Sequence, residues 1–108
     1  MERLRERLPE FRPEDPDLQH VAFGQLVAFL GDRSIPVEED EVLRRALDFI
    51  EEAACSTDEL VIDLVVVSFI ENLHTLHGRC RAVRSLLGPT SSRLADEYER
   101  HGGGKVCP

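Results

Sequence analysis

Four side chains able to bind a transition metal stand three residues apart: Glu71, His74, His77 and Cys80. Carboxylate, imidazole and thiolate are all ligands for zinc or a similar ion. On an unbroken helix their spacing would set them along one side. Gly78 falls between the last two and predicts an interruption, and only His20 and His101 supply further imidazoles. A polar helix edge explains the same residues and outweighs the metal reading, so neither metal nor other cofactor is expected. Cys80 raises a second chemistry, because Arg79 and Arg81 flank it and His77 lies three residues back. Cationic neighbours lower a thiol's pKa, and nucleophilic catalysis needs such a thiolate beside a base. Beyond His77 nothing completes that pair, so packing or an idle thiol is the expectation. Asp63 would need a partner acid and a cleft to act catalytically. A rim position, or an ion pair with Arg44 or Arg84, is expected instead. Gly102-Gly103-Gly104-Lys105 lacks the strand and helix that frame a phosphate loop. No catalytic set is found, and the chain is read as not an enzyme.

The elements that would carry these groups are organised on residues 56–77, STDELVIDLVVVSFIENLHTLH. The run of Val61, Ile62, Val65, Val66 and Val67 favours strand by propensity. The length of the stretch and the capping-box spacing of Ser56 and Glu59 favour helix. At 100° per residue Ile62, Val65, Val66, Phe69, Leu73 and Leu76 share one face, with further apolar residues around the first half. A helix buried on several sides is predicted, as the middle of a bundle. Around it, residues 2–8 suit a short helix and Pro9, Pro13 and Pro16 a loop pinned by Phe11. Asp17 is expected to cap a helix over roughly 18–31 that stops at Gly31, with Gly24 allowing close approach of a neighbour. A helix over about 37–54 follows, with Glu38, Glu39, Asp40 and Glu41 at its positive end. A very short link then makes an αα-hairpin with the central helix. Residues 79–87 read as a further short helix ended by Gly88-Pro89. Thr90, Ser91 or Ser92 would cap a last one to about Arg100. The predicted fold is all-α, a compact bundle of four to five helices. It reads as two stacked αα-hairpins (HEAT/ARM-like) around the buried central helix. Residues 1–16 form the lead-in, 17–100 the helical domain and 101–108 a flexible Gly-rich tail.

Length and composition are those of one globular domain: 108 residues, 42% hydrophobic and 31% charged. The net charge of −8 repels phosphate backbones and anionic lipid, so neither nucleic acid nor membrane is an expected partner. Three cysteines (Cys55, Cys80, Cys107) are an odd number without paired spacing. A disulfide scaffold is therefore not expected, and a reducing compartment is. The charged N-terminus has no signal-peptide apolar region, and Asp63 interrupts the longest apolar run, so the expected location is cytoplasmic.

Charge is unevenly placed. Between Asp32 and Glu59, ten acids face only Arg33, Arg44 and Arg45, a net −7. Residues 79–93 carry four arginines and no acid. An ordinary solvated face accounts for such a run, and a docking surface for a basic protein is the functional alternative. The residues that would form it are Glu38, Glu39, Asp40, Glu41, Asp48, Glu51 and Glu52.

Val67-Ser68-Phe69-Ile70-Glu71-Asn72-Leu73, VSFIENL, resembles the core helix of an uncharacterised family of small bacterial helical proteins. In that family a VSFLE-x-L helix follows one ending in an acidic pair, matched here by RRALDFIEEA from Arg44 to Ala53. Leu18 to Gly24 resembles its N-terminal helix, and Leu86-Leu87-Gly88-Pro89 its LLP or LGP turn. The resemblance spans about residues 15–100. The aromatic residue usual after that turn is missing, Tyr98 being the only late ring. Because small acidic helical proteins of this kind often accompany bacterial toxins, the resemblance implies immunity or antitoxin activity. The expected function is thus an acidic binding module neutralising a basic partner such as a toxin. The alternative is a structural or regulatory adaptor, a homodimer joined through exposed apolar residues of the central helix. The chain is expected to be a monomer or a homodimer.

Overall fold

The computed structural model describes residues 8–9, 19–32 and 35–107. The expected helix over 2–8, the proline loop with Phe11 and the Asp17 cap lie outside the described residues, apart from Leu8 and Pro9. Leu8 is fully buried in the core. The all-α bundle predicted from the periodicity is the fold, and no strand occurs among the described residues.

A helical rod over 59–85 forms its centre, and Gln19–Gly31, Glu41–Ala54 and Pro89–Tyr98 all pack against it. Asp58 rather than Ser56 starts the rod, accepting the Leu60 N–H at 2.9 Å. Ser56 sits one step further out, its hydroxyl accepting the Asp58 N–H at 3.0 Å. Both are good cap residues, and the one whose carboxylate reaches the second N–H of the helix takes the position. The rod is α-helical over Glu59–Leu64, widens to a π turn over Val65–Phe69, and tightens to 3-10 pitch over Ile70–Arg79. It returns to α-helix over Cys80–Ser85. Gly78 does not break it, so the two helices expected on either side of that glycine are one element.

The change of pitch follows the side chains. At three residues per turn, positions i and i+3 eclipse. Ile70, Leu73 and Leu76 therefore form one buried row. Polar side chains on the other rows bond back to nearby carbonyls: Asn72 donates to Ser68 at 2.9 Å and Thr75 to Asn72 at 2.7 Å. His74 Nδ1 lies 2.8 Å from the Glu71 carbonyl, where its N–H donates. Such bonds compete with the helix's own ladder and distort it.

Gln19–Gly31 packs along the second half of the rod, burying Ala22, Phe23, Leu26, Val27 and Leu30. Its end at Gly31 is as predicted. Gly24, however, is not the site of closest approach. A Cβ there would meet Asn72 at 3.8 Å, ordinary contact, whereas at Gly31 it would meet Leu76 at 3.0 Å. Next in the chain comes a single 3-10 turn, Val37–Glu39, and then Glu41–Ala54, which begins four residues later than expected because Asp40 is its cap. The Asp40 carboxylate accepts the Leu43 N–H at 3.2 Å. This helix buries Val42, Leu43, Ala46, Leu47, Ile50 and Ala54 on one face and forms the αα-hairpin with the rod across 55–58. Phe23 and Phe49 join it to Gln19–Gly31 edge to face, centroids 6.2 Å apart. Pro89–Tyr98 is the last α-helix, running on into a π turn over Glu99–Gly103, and lies against Glu41–Ala54 and the π turn of the rod.

The end of the chain departs most from its reading. Of the expected flexible tail over 101–108, the described residues 101–107 turn back on the bundle instead. Gly102 and Gly104 hold φ of 93° and 79°, values that glycine alone adopts without strain. Val106 is buried in the core, its N–H donated to Glu99 at 2.8 Å. Cys107 is joined to Cys80 in a disulfide, so the cysteines are not all free as expected. At a sequence separation of 27, no spacing rule flags the pair. Cys55 stays free and exposed.

Candidate docking surface

The structure divides the seven acids expected at a docking surface. Glu38, Glu39, Glu41, Asp48 and Glu52 are exposed. On the Glu41–Ala54 helix, Glu41, Arg44, Asp48 and Glu52 recur at three- and four-residue intervals, so one outer stripe carries them. Arg44 is spoken for by Glu41, their charged groups 2.6 Å apart. Asp58, Glu59 and Asp63 continue the exposed carboxylates onto the start of the rod. Asp63 thus takes the expected rim position and not the expected pair, since Arg84 turns instead to the last helix. There its guanidinium meets Asp96 at 2.5 Å, Glu99 at 3.7 Å and the Ser92 hydroxyl at 3.1 Å.

Asp40 and Glu51 belong to the interior bonding. Asp40, its side chain fully enclosed, pairs with Arg79 at 3.2 Å, and Arg79 also donates to the Leu30 carbonyl at 2.7 Å. That carbonyl is among the last four of its helix, which lack partners within it. Arg79 thereby links the end of one helix to the start of another.

Glu51 caps a helix from outside. Gly88 and Pro89 open the last helix without a side-chain cap of their own. The carboxylate of Glu51 reaches across to accept the Thr90 N–H at 2.9 Å, the Ser91 N–H at 2.8 Å and the Ser91 hydroxyl at 2.7 Å. Expected caps Thr90 and Ser91 are thus donors to an acid 39 and 40 residues earlier. Gly88 makes room for it: a Cβ there would stand 2.5 Å from the Glu51 carboxyl group. Burial raises the pKa of Glu51, but the bonds from Ser91 and Thr90 outweigh it and lower the value from 4.5 to about 2. The helix dipole acts in the same direction. The stabilisation is complete above pH 4.5 and is lost as pH falls toward 2. Charge-assisted bonds of this kind are worth roughly 1–3 kcal/mol. Wild type should lose about that much more stability than Glu51→Gln between pH 5 and pH 2, as read from urea midpoints. Parallel pH curves for the two proteins would contradict this.

The metal and thiol candidates part company. Cys80 is buried and spent on the disulfide, so it is neither ligand nor nucleophile in this state. Glu71 is half-buried and His74 exposed, and no group of three potential ligands exists among the described residues. His101 is exposed at the chain reversal. Gly102 to Lys105 form that reversal, with no helix after them. Asp96, Glu99 and Arg100 border an open depression on the last helix. Among the described residues, no helix is long and apolar enough to cross a membrane.

Sequence reasoning missed the inward use of Asp40 and Glu51. A cap signal was available for Asp40, an acid three residues before a buried leucine and the apolar run. For Glu51 there was none, since its partners lie on another helix.

No curated protein and no solved structure matches the chain. The profile of one family matches residues 1–103, nearly the whole chain and all of its helices. That family carries the description Domain of unknown function (DUF7674), and this all-helical chain belongs to it.

Proposed function

We propose that the protein is an acidic protein-binding module of the immunity or antitoxin type, acting in the cytoplasm. Its outer carboxylates would cover a basic partner such as a toxin. The observation that supports this is the exposure of Glu38, Glu39, Glu41, Asp48, Glu52, Asp58, Glu59 and Asp63, with Arg44 on Glu41 among them. None of these is drawn inward as Asp40 and Glu51 are. Like charges held on one surface repel each other and gain free energy when a complementary surface neutralises them.

The test is capture from lysate of the native host, with Glu38, Glu39, Asp48 and Glu52 reversed to Lys and the two structural acids kept. The expected result is a captured protein of high isoelectric point, retained at low salt. The reversed variant and high salt should each release it, with affinity falling by roughly tenfold or more. Capture that survives both the reversal and the salt would overturn the docking surface.

A second reading, an adaptor acting as a homodimer, draws on Leu60, 77% exposed, and Val67, 49% exposed, one face of the rod. Sedimentation separates the two readings. A homodimer joined by apolar contact persists in high salt, and a strictly monomeric chain eliminates it.

A further inference from the structure

We propose that the C-terminal segment is a thiol-operated latch: a dithiol reductant opens the Cys80–Cys107 bond and releases residues 102–107 from an otherwise intact bundle. Three observations place the latch. The disulfide joins the rod to the end of the chain, across 27 residues. Beyond Tyr98, Val106 is the described residue that belongs to the core cluster, and Cys107 packs against it. Between them and the last helix lie three consecutive glycines, two at positive φ.

These features make seating depend on the covalent bond. Glycine loses more backbone freedom on ordering than any other residue. Against that loss stand one buried valine and the hydrogen bond from its N–H to Glu99, itself held by Arg84. Each ordered residue costs about as much as a small buried side chain returns. With the cross-link gone the balance favours release. The rest of the core, from Leu8 to Ala95, is built from other elements and does not need the segment.

Access fixes the order of events. Cys80 is enclosed, whereas Cys107 is only partly buried. The thiolate of the reductant attacks the Cys107 sulfur; the S–S bond breaks and Cys80 leaves as a thiolate that takes up a proton. The reductant's second thiol then attacks the mixed disulfide, forms the reductant's own disulfide and frees Cys107 as a thiol. Two electrons and two protons pass to the chain. Oxidation of the two thiols by a disulfide of the same class reverses every step.

The sequence supplies a selective probe, since Lys105 is the chain's single lysine and the residue after it is buried Val106. A lysine-specific protease can therefore cut one bond, Lys105–Val106. The experiment follows that cut by intact mass in the oxidised chain and in the chain reduced with dithiothreitol, both carrying Cys55→Ser. Cys107→Ser is run alongside without reductant. The reduced chain and Cys107→Ser should be cut at similar rates, on the order of tenfold or more faster than the oxidised chain. Helical circular dichroism should persist in all three. Equal rates in oxidised and reduced chains would overturn the proposal. So would a disulfide that dithiothreitol leaves intact under native conditions, or loss of helix on reduction.

Discussion

Replacing Arg79 with methionine is expected to destabilise the protein by about 3–5 kcal/mol, the usual cost of stranding one member of a buried ion pair. Its partner Asp40 has no exposed side-chain surface, while Arg79 keeps a sixth of its own. The carboxylate would remain enclosed with its cap bond to Leu43 but would lose the guanidinium 3.2 Å away. The Leu30 carbonyl would lose a donor at the same time. Methionine keeps most of the apolar stem, so the loss reports the charge and its bonds. Urea unfolding of four proteins is the measurement: wild type, Arg79→Met, Asp40→Asn and the double variant. Because asparagine also caps helices well, the double variant should recover part of the deficit. A loss below about 1 kcal/mol for Arg79→Met would show that the pair adds no more than a surface ion pair does.

Phe69→Ala should cost a similar 3–5 kcal/mol, for a different reason. Phe69 is among the largest side chains with no exposed surface, and it stands at the end of the π turn. Gln19–Gly31, Glu41–Ala54 and Pro89–Tyr98 all pack on that turn. Removing the ring leaves a cavity that three rigid neighbours cannot fill without moving apart. Denaturant unfolding measures the loss, and Phe69→Leu, which keeps more volume, should lose less. A small effect of Phe69→Ala would mean that the rod is not enclosed at this point.

The two results would also separate what periodicity reveals from what it hides. Phe69, Leu73 and Leu76 were legible because each is apolar and recurs on one helical face. Arg79 was not, because its role depends on Asp40, 39 residues earlier, and on a carbonyl that has no side-chain signature. Local helix signals proved right in kind and off in position. Asp58 displaced Ser56 as a cap, and Gly78 was carried through by the 3-10 row of Ile70, Leu73 and Leu76. A glycine costs about 1 kcal/mol in a helix, less than burying that row returns. At the surface, exposure of Glu38, Asp48 and Glu52 agrees with a charge run read as solvated. Glu51 in the same run does not, because Gly88 opened a place for it.

The amino-acid order alone determined an all-helical chain with its most apolar stretch at the centre, since both follow from periodicity within one element. Tertiary structure decided which acids stay outside, which cap distant helices, and that Cys80 meets Cys107. Those outcomes depend on groups far apart in the chain, and only packing decides which of them meet.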